Sequence, residues 1–275
     1  MEETLNIPEE SFRRILSTVR TAGCIDLINY EPSILCHRFE RFMQMQGYSS
    51  AEMLVERMVR DKSFADYFLE KIRVATTEMF RDPQMWKELM RDVFPKFKYE
   101  SVVKIWVPEI CGDDELNSLL ILLDKAGLLQ KSMVYATCVF ENGLSDAKSY
   151  FSDLKKMEIG KENFRGVFGL TADLEEYFSK TDKSYVFGKL TEQVIFLKHD
   201  LISEAPPDMG FNLILFRNRA LNYSAQARKS CIEKLHRCLL PGGYFIIGIG
   251  ETLRGLEQTT KFVPCSKTEN IFKKV

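Results

Sequence analysis

Between residues 102 and 248 short apolar, β-branched runs alternate with helical stretches, and this rhythm confines the chain to a mostly parallel sheet with helices on both faces. Val102 to Val107 reads as the first strand. Asp113 to Leu123 follows as a helix with acidic residues in its first turn, where the helix dipole favours them. Ser132 to Val139 is a strand and Gly143 to Lys156 a helix. Phe211 to Phe216 is a strand, Ser224 to Leu239 a helix, and Tyr244 to Gly248 a strand. Lys261 to Pro264 and Asn270 to Lys273 are short candidates for an antiparallel pair that closes the sheet. Residues 157–198 break the rhythm. Tyr185 to Leu190 and Gln193 to Leu197 flank Thr191-Glu192 as a hairpin, so a small inserted β-subdomain is expected there.

Residues 1–95 read instead as helix after helix. Pro8 suits a first turn, and Phe12, Ile15, Leu16 and Val19 follow at helical spacing. Leu35, Phe39, Phe42 and Met43 form a second stripe. Ser49 with Glu52 has the form of a capping box ahead of Leu54, Val55, Met58 and Val59. Phe64, Tyr67, Phe68 and Ile72 mark another helix, and Pro83 is placed to start one more. The expectation is an all-helical N-terminal domain over 1–95 and an α/β domain over 96–275. A chain of 275 residues suits two modest domains.

Charge narrows the partners. The 38 basic residues nearly balance the 39 acidic ones, giving a net charge of −1 and no bulk attraction to nucleic acid or anionic membrane. The seven cysteines are scattered without a CxxC pair, as in reduced cytosolic proteins, and His37, His199 and His236 are far apart, so no metal site is expected. The acidic opening MEETLNIPEESFRR lacks an apolar stretch. Apolar runs such as Leu119 to Leu123 fall far short of the ~20 residues that span a bilayer. A soluble, cytoplasmic protein without direct membrane insertion is expected.

Two segments carry chemistry. Leu239-Leu240-Pro241-Gly242-Gly243-Tyr244 ends a helix and enters a strand through a tight reversal. Leu213-Ile214-Leu215-Phe216-Arg217-Asn218 is a buried strand with a polar end, on the edge where open α/β sheets hold ligands.

These segments resemble a family. LILFRNRALNY, Leu213 to Tyr223, is similar to the L-I-F-C-R-N-V-L-I-Y-F segment of the CheR-type chemotaxis receptor methyltransferases. Thr76-Thr77-Glu78-Met79-Phe80-Arg81-Asp82-Pro83 resembles that family's T-x-F-F-R-D-P element. Phe196 to Leu201 resembles its strand ending in H-N/D-L. PGGYFIIGIGETL, Pro241 to Leu253, resembles P-G-G-Y-L-F-L-G-H-S-E-S-L. The order is the family's and nearly the whole chain is covered. The resemblance implies a Rossmann-like methyltransferase domain that takes S-adenosylmethionine and leaves S-adenosylhomocysteine. It implies methylation of glutamate carboxylates on a chemoreceptor or related signalling protein. It assigns catalytic parts to Arg81 and Tyr223, and cofactor contacts to Thr77, Arg81, Glu115, Cys138, Asp200, Leu201 and Asn218.

The chain also departs from the pattern. The family's A-G-C-S-T-G-E-E-P-Y-S loop is here Pro108 to Ser118, where Glu115 and Ser118 match but the glycine-rich character is lost. The acidic residue that accepts the ribose hydroxyls is replaced by Cys138, a weak acceptor, with Glu141 nearby. Ala75 replaces an asparagine, and Tyr223 stands one place beyond the family tyrosine. The alternative is therefore a non-catalytic relative that binds a protein partner. Arg38 with Arg41, and Arg57 with Arg60, share helix faces that suit either ordinary solvation or receptor docking.

Overall fold

The computed structural model describes residues 7–22, 25–72, 78–110, 114–148, 151–181, 184–188, 190–256 and 260–275. The chain divides into two compact units, Met1–Val74 with Ala220–Ser230, and Ala75–Arg219 with Cys231–Val275.

The first unit is helical. Its helices are α1 (Glu9–Thr21), α2 (Pro32–Gln46), α3 (Ala51–Arg60) and α4 (Lys62–Ile72). Pro8 precedes α1, and its carbonyl accepts the Phe12 amide at 2.9 Å. The apolar stripes meet in a core that contains Ile15, Leu35, Phe39, Phe42, Leu54 and Phe68. Phe68 packs edge-on to Phe42 at 4.9 Å and beside Phe39 at 5.3 Å. Gly47 ends α2 in left-handed backbone, φ 73°, and the Tyr48 amide reaches back to the Met43 carbonyl. The cap of α3 falls one residue later than expected. Ser50, not Ser49, accepts the Met53 amide, while Glu52 takes the hydroxyl of Ser11 at 2.8 Å. The distant 220–224 segment joins this unit by short backbone bonds, Glu31 N to Asn222 O and Ser224 N to Asn29 O, each 2.9 Å.

The second unit begins with α5 (Pro83–Glu88), which Pro83 starts at the position proline favours. Then come β1 (Val103–Val107), α6 (Asp114–Lys125), β2 (Ser132–Cys138), α7 (Glu141–Lys148), β3 (Phe151–Asp153), α8 (Leu154–Phe168), β4 (Phe178–Lys180) and β5 (Ser184–Phe187). They are followed by β6 (Val194–Lys198), β7 (Phe211–Leu215), α9 (Ala225–Cys238, which belongs to this unit from Cys231 on), β8 (Leu239–Ile246), β9 (Phe262–Pro264) and β10 (Ile271–Lys274). Seven strands form one sheet in the order β6-β2-β1-β7-β8-β10-β9. The first five run parallel, and β10 pairs antiparallel with both β8 and β9, as the tail's two short runs suggest. This is the expected α/β, Rossmann-like architecture.

Three expectations need correction. Met79, Phe80, Met85, Trp86, Phe94 and Phe97 are buried in the α/β core, so the domain boundary lies near 74 and not at 95. Val194–Lys198 is not half of a hairpin, because it pairs parallel with Val134 to Cys138 as the edge of the main sheet. The inserted sheet is instead β3-β5-β4, with α8 between its first two strands in the chain. The Pro241-Gly242-Gly243 turn is a bulge inside β8, where the register with β7 jumps between Phe211 and Leu213. At Gly243 a Cβ would lie 2.9 Å from the carbonyl oxygens of Leu240 and Phe211, so only glycine fits.

Below the sheet, opposite the strands' carboxyl ends, Asp208 accepts Lys104 Nζ at 2.6 Å, the Tyr135 hydroxyl at 2.7 Å and the Met209 amide at 2.7 Å. Lys104 first, then Tyr135 and the amide, hold its carboxyl down at about 2. A carboxyl depressed on folding stabilises above its ordinary pKa near 4, and that contribution is lost as the pH falls from about 4 toward 2. Asp208→Asn is expected to flatten the acid limb of stability across that window by about 1 kcal/mol, partial exposure included. Urea midpoints collected from about pH 2 to pH 7 test this, and an unchanged acid limb would remove the assignment.

Candidate functional site

The carboxyl ends of the five parallel strands share one edge, and the loops beyond them are tied to one another. The Ile110 amide donates to Thr137 O at 2.8 Å, His199 N to Cys138 O at 2.9 Å, and Phe216 N to Ile246 O at 2.9 Å. Beneath this edge Trp106 donates its indole N–H to Thr137 Oγ1 at 3.0 Å, and His199 stands edge-on to the Trp106 ring.

Arg217, just past β7, is the hub. Its side chain is 3% exposed and donates to Glu115 Oε1 at 3.1 Å and to the Asp82 carboxylate. It also donates to Arg81 O at 3.3 Å and lies over the Trp86 ring. Arg219 reaches the other oxygen of Glu115 at 3.5 Å. The loop at 79–82 is held from every side. Asn163 Nδ2 donates to Met79 O at 2.9 Å, the Phe80 amide donates to Ser118 Oγ at 2.8 Å, and Trp86 Nε1 donates to Arg81 O at 2.9 Å. Phe80 and Asp82 both sit in left-handed backbone, φ 52° and 59°. Such conformations cost about 1–3 kcal/mol each and persist only where the surroundings enforce them. Arg81 stands between them with an exposed side chain. Its backbone is fixed and its guanidinium faces water.

The site residues expected from sequence are distributed as follows. Glu115 is buried at the start of α6, with its carboxylate oxygens on Arg217 and Arg219. Cys138 closes β2, and its sulfur accepts the Phe140 amide at 3.4 Å. Asp200 caps a turn, one oxygen accepting Ile202 N at 2.9 Å and the other the Ser203 hydroxyl at 2.6 Å. Leu201 is fully buried in that turn, and its carbonyl accepts Lys234 Nζ at 2.6 Å. Asn218 follows Arg217 in left-handed backbone, φ 57°. Glu115, Cys138, Asp200 and Asn218 thus all border one edge of the second unit. Tyr223 belongs to the first unit, where it is fully buried 5.2 Å from the Tyr30 ring. Thr77, with Thr76, Gly112 and Asp113, lies outside the described residues.

Two charged residues at this edge, Glu251 and Arg219, were not among those expected to form the site. Glu251 is 6% exposed, and one of its oxygens accepts both the Asn218 amide at 2.8 Å and the Gly248 amide at 2.7 Å. Asn270 braces the same turn through Gly248 O at 2.7 Å and Glu251 O at 2.9 Å. The glutamate of the family-like G-E-T-L stretch was the signal available for it. Glu109 and Arg219 were visible as charges at strand ends. Burial pushes the Glu109 carboxyl up, Arg219 pulls it down, Asp200 raises it again, and the balance lies at about 7.

The donor set fits an adenosylated sulfonium cofactor at one end better than at the other. A carboxyl at Glu109 and the carboxylate of Asp200 suit a cationic ligand centre. The amide of Asn117, 0% exposed on α6, has no hydrogen-bond partner among the described residues. Cys138 supplies no strong acceptor for a ribose diol. Among the described residues no cluster of His, Cys, Asp or Glu forms a metal site, and no helix is long and apolar enough to cross a membrane.

Residues 75–269 match the family model described as CheR methyltransferase, SAM binding domain. A Pseudomonas putida protein with the name Cher3 is 23% identical over 262 residues, covering 95% of this chain and 96% of its own length. The chemotaxis protein methyltransferase of Listeria monocytogenes is 22% identical over 233 residues, 83% of this chain and 85% of that one. Chemotaxis protein methyltransferase 1 of Pseudomonas aeruginosa is 24% identical over 273 residues, 95% and 96%.

Removing the hub leaves the buried Glu115 carboxylate with Arg219 alone and takes from Asp82, a quarter exposed, its guanidinium partner. Arg217→Ala is expected to cost about 3–5 kcal/mol. Urea unfolding of the purified variant measures it, and a loss under about 1 kcal/mol would mean that Arg217 is not the hub.

Proposed function

The chain belongs to the CheR methyltransferase family, and from that premise we propose that it transfers a methyl group from S-adenosylmethionine to glutamate side chains of a chemoreceptor or related signalling protein. When bound, the cofactor supplies a methyl group activated on a sulfonium. The protein's share of the work is modest. A glutamate with an ordinary pKa near ~4.3 is already ionised at neutral pH, so no strong base is required. The acceptor carboxylate must be held in line without being neutralised, and water must be kept out. A guanidinium meets the first need, because its fork binds a carboxylate in bidentate fashion and keeps its charge.

The observation that carries this reading is Arg81: an exposed side chain on a backbone locked between two left-handed residues and held by Trp86, Arg217 and Ser118. A fixed anchor with a free charged end is what a clamp for an incoming side chain requires. In this reading Cys138, Asp200, Leu201 and Asn218 border the cofactor, Glu115 acts through its arginines, Arg81 clamps the acceptor, and Thr77 is a cofactor residue on the family resemblance alone. Tyr223, fully buried against Tyr30, has a supporting part and shapes the 220–224 segment.

A second reading, a non-catalytic relative that binds a protein partner, is favoured by Cys138 at the place of the ribose-binding carboxylate. Titration calorimetry with S-adenosylmethionine and S-adenosylhomocysteine separates the two. Saturable binding of either supports the enzyme reading, and no binding of both leaves the second.

Two outcomes follow for the enzyme. Arg81→Ala should lower base-labile methyl ester formation on a receptor cytoplasmic fragment by roughly a hundredfold or more, with Arg81→Lys intermediate and cofactor affinity little changed. Equal loss of cofactor affinity in Arg81→Ala would move Arg81 out of the clamp role. Cys138→Asp should tighten S-adenosylmethionine binding by about tenfold, the worth of one charge-assisted hydrogen bond. Unchanged affinity would mean that no diol meets position 138.

A further inference from the structure

The loops beyond β7 and β8 meet on one carboxylate oxygen. Oε2 of Glu251 accepts the Asn218 amide at 2.8 Å and the Gly248 amide at 2.7 Å, and the residue is 6% exposed. A hydroxyl could accept a backbone amide without taking a charge out of water, so a buried carboxylate is a costly tie between two turns. The turn that carries it is closed on itself. The Glu251 amide donates to Gly248 O at 3.0 Å, and Asn270 Nδ2 donates to Gly248 O at 2.7 Å and to Glu251 O at 2.9 Å. What this post holds is Asn218, in left-handed backbone at φ 57°. The Asn218 carboxamide itself makes no hydrogen bond among the described residues. Shape alone sets its place. A Cβ at Gly248 would overlap Asn218 Oδ1 and lie 2.8 Å from its Cγ, so the carboxamide rests on the one position that lacks a side chain. A half-buried amide with its donor and acceptor both uncommitted, at the carboxyl edge of a parallel sheet, is available to a ligand.

We propose, resting on the reading of this edge as an S-adenosylmethionine site, that Glu251 is a positioning residue: it pins the Asn218 loop against Gly248 so that the Asn218 carboxamide meets the methyl donor. Glu251 does not touch the ligand. Its two amide bonds fix the backbone at 218, and the backbone aims the side chain. Glutamine at 251 keeps an acceptor oxygen of nearly the same reach, but its bonds to the two amides lose the charge and are about half as strong. The Asn218 loop is then freer to leave its left-handed conformation, and the carboxamide loses its aim. The strands of the sheet keep their own ladders, so the fold is retained.

A double-mutant cycle on the full chain, read by calorimetry with S-adenosylhomocysteine, decides it. Glu251→Gln is expected to weaken binding about tenfold. Asn218→Gly deletes the carboxamide but keeps the amide N–H and tolerates the left-handed backbone, and it should weaken binding by a similar factor. The double variant should bind no more weakly than either single one, because Glu251 acts through Asn218. Losses that multiply to about a hundredfold would show two independent effects and overturn the proposal. Unchanged affinity in either single variant would overturn it too. Asp208→Asn, at the opposite edge of the sheet, supplies the control for stability and should leave the affinity as it was. A loss there equal to that of Glu251→Gln would reduce Glu251 to a general stabiliser. Should Glu251→Gln misfold, Glu251→Asp takes its place in the cycle, since it keeps the charge and draws the oxygen back by one carbon. Each of these failures leaves the methyltransferase reading intact. A wild-type chain that binds neither S-adenosylmethionine nor S-adenosylhomocysteine overturns both.

Discussion

The edge where chemistry is expected depends on one guanidinium. Arg217 lies where β7 ends and joins Glu115 on α6 to Asp82 and the Arg81 carbonyl ahead of α5. Three stretches distant in sequence thus converge on one charge. Ion pairs this deeply buried contribute little net stability, since desolvation offsets most of the Coulomb gain. Their effect is directional: they accept one arrangement and penalise others. That suits a loop with two left-handed residues, which has no local reason to hold its shape. The free end of Arg81 is defined because everything around its backbone is not free.

Much of the architecture was legible because periodicity reports burial directly. The strands at 103–107, 132–138 and 211–215 are continuous apolar runs buried on both faces, which is the mark of a central parallel sheet. Where local pattern was silent on partners, the reading slipped. Val194–Lys198 has the composition of a hairpin strand, and only its pairing with β2 shows that it belongs to the main sheet. Pro83 reads as the start of one more helix of the N-terminal bundle, and a helix does start there. Helical character does not reveal which core a helix joins, and the buried side chains from Met79 to Phe97 fill the α/β core. Ser49 and Ser50 are both good caps, and choosing between them needs the backbone.

The candidate edge was legible in position more than in role. Motif positions named Glu115 and Asp200 as ligand-facing carboxylates, and both lie at the expected edge, yet their oxygens are engaged by protein donors. Sequence carries no information on whether a carboxylate is already satisfied. Glu251 was hidden for a related reason. It stands apart from the strand end it supports and acts through backbone amides, which have no sequence signature. Arg219 is unremarkable as a single charge and acquires meaning only when the topology sets β1 beside β7.

The turn that Glu251 braces also constrains how the chain can vary. A side-chain carbon at Gly248 would overlap the amide oxygen of Asn218, so the space beyond β8 is occupied by a residue from the neighbouring loop. Positions 218 and 248 therefore behave as a single locus shared across two loops. A larger residue at 248 is tolerable only after Asn218 has shrunk, so one order of the two changes passes through a clashing intermediate and the other avoids it.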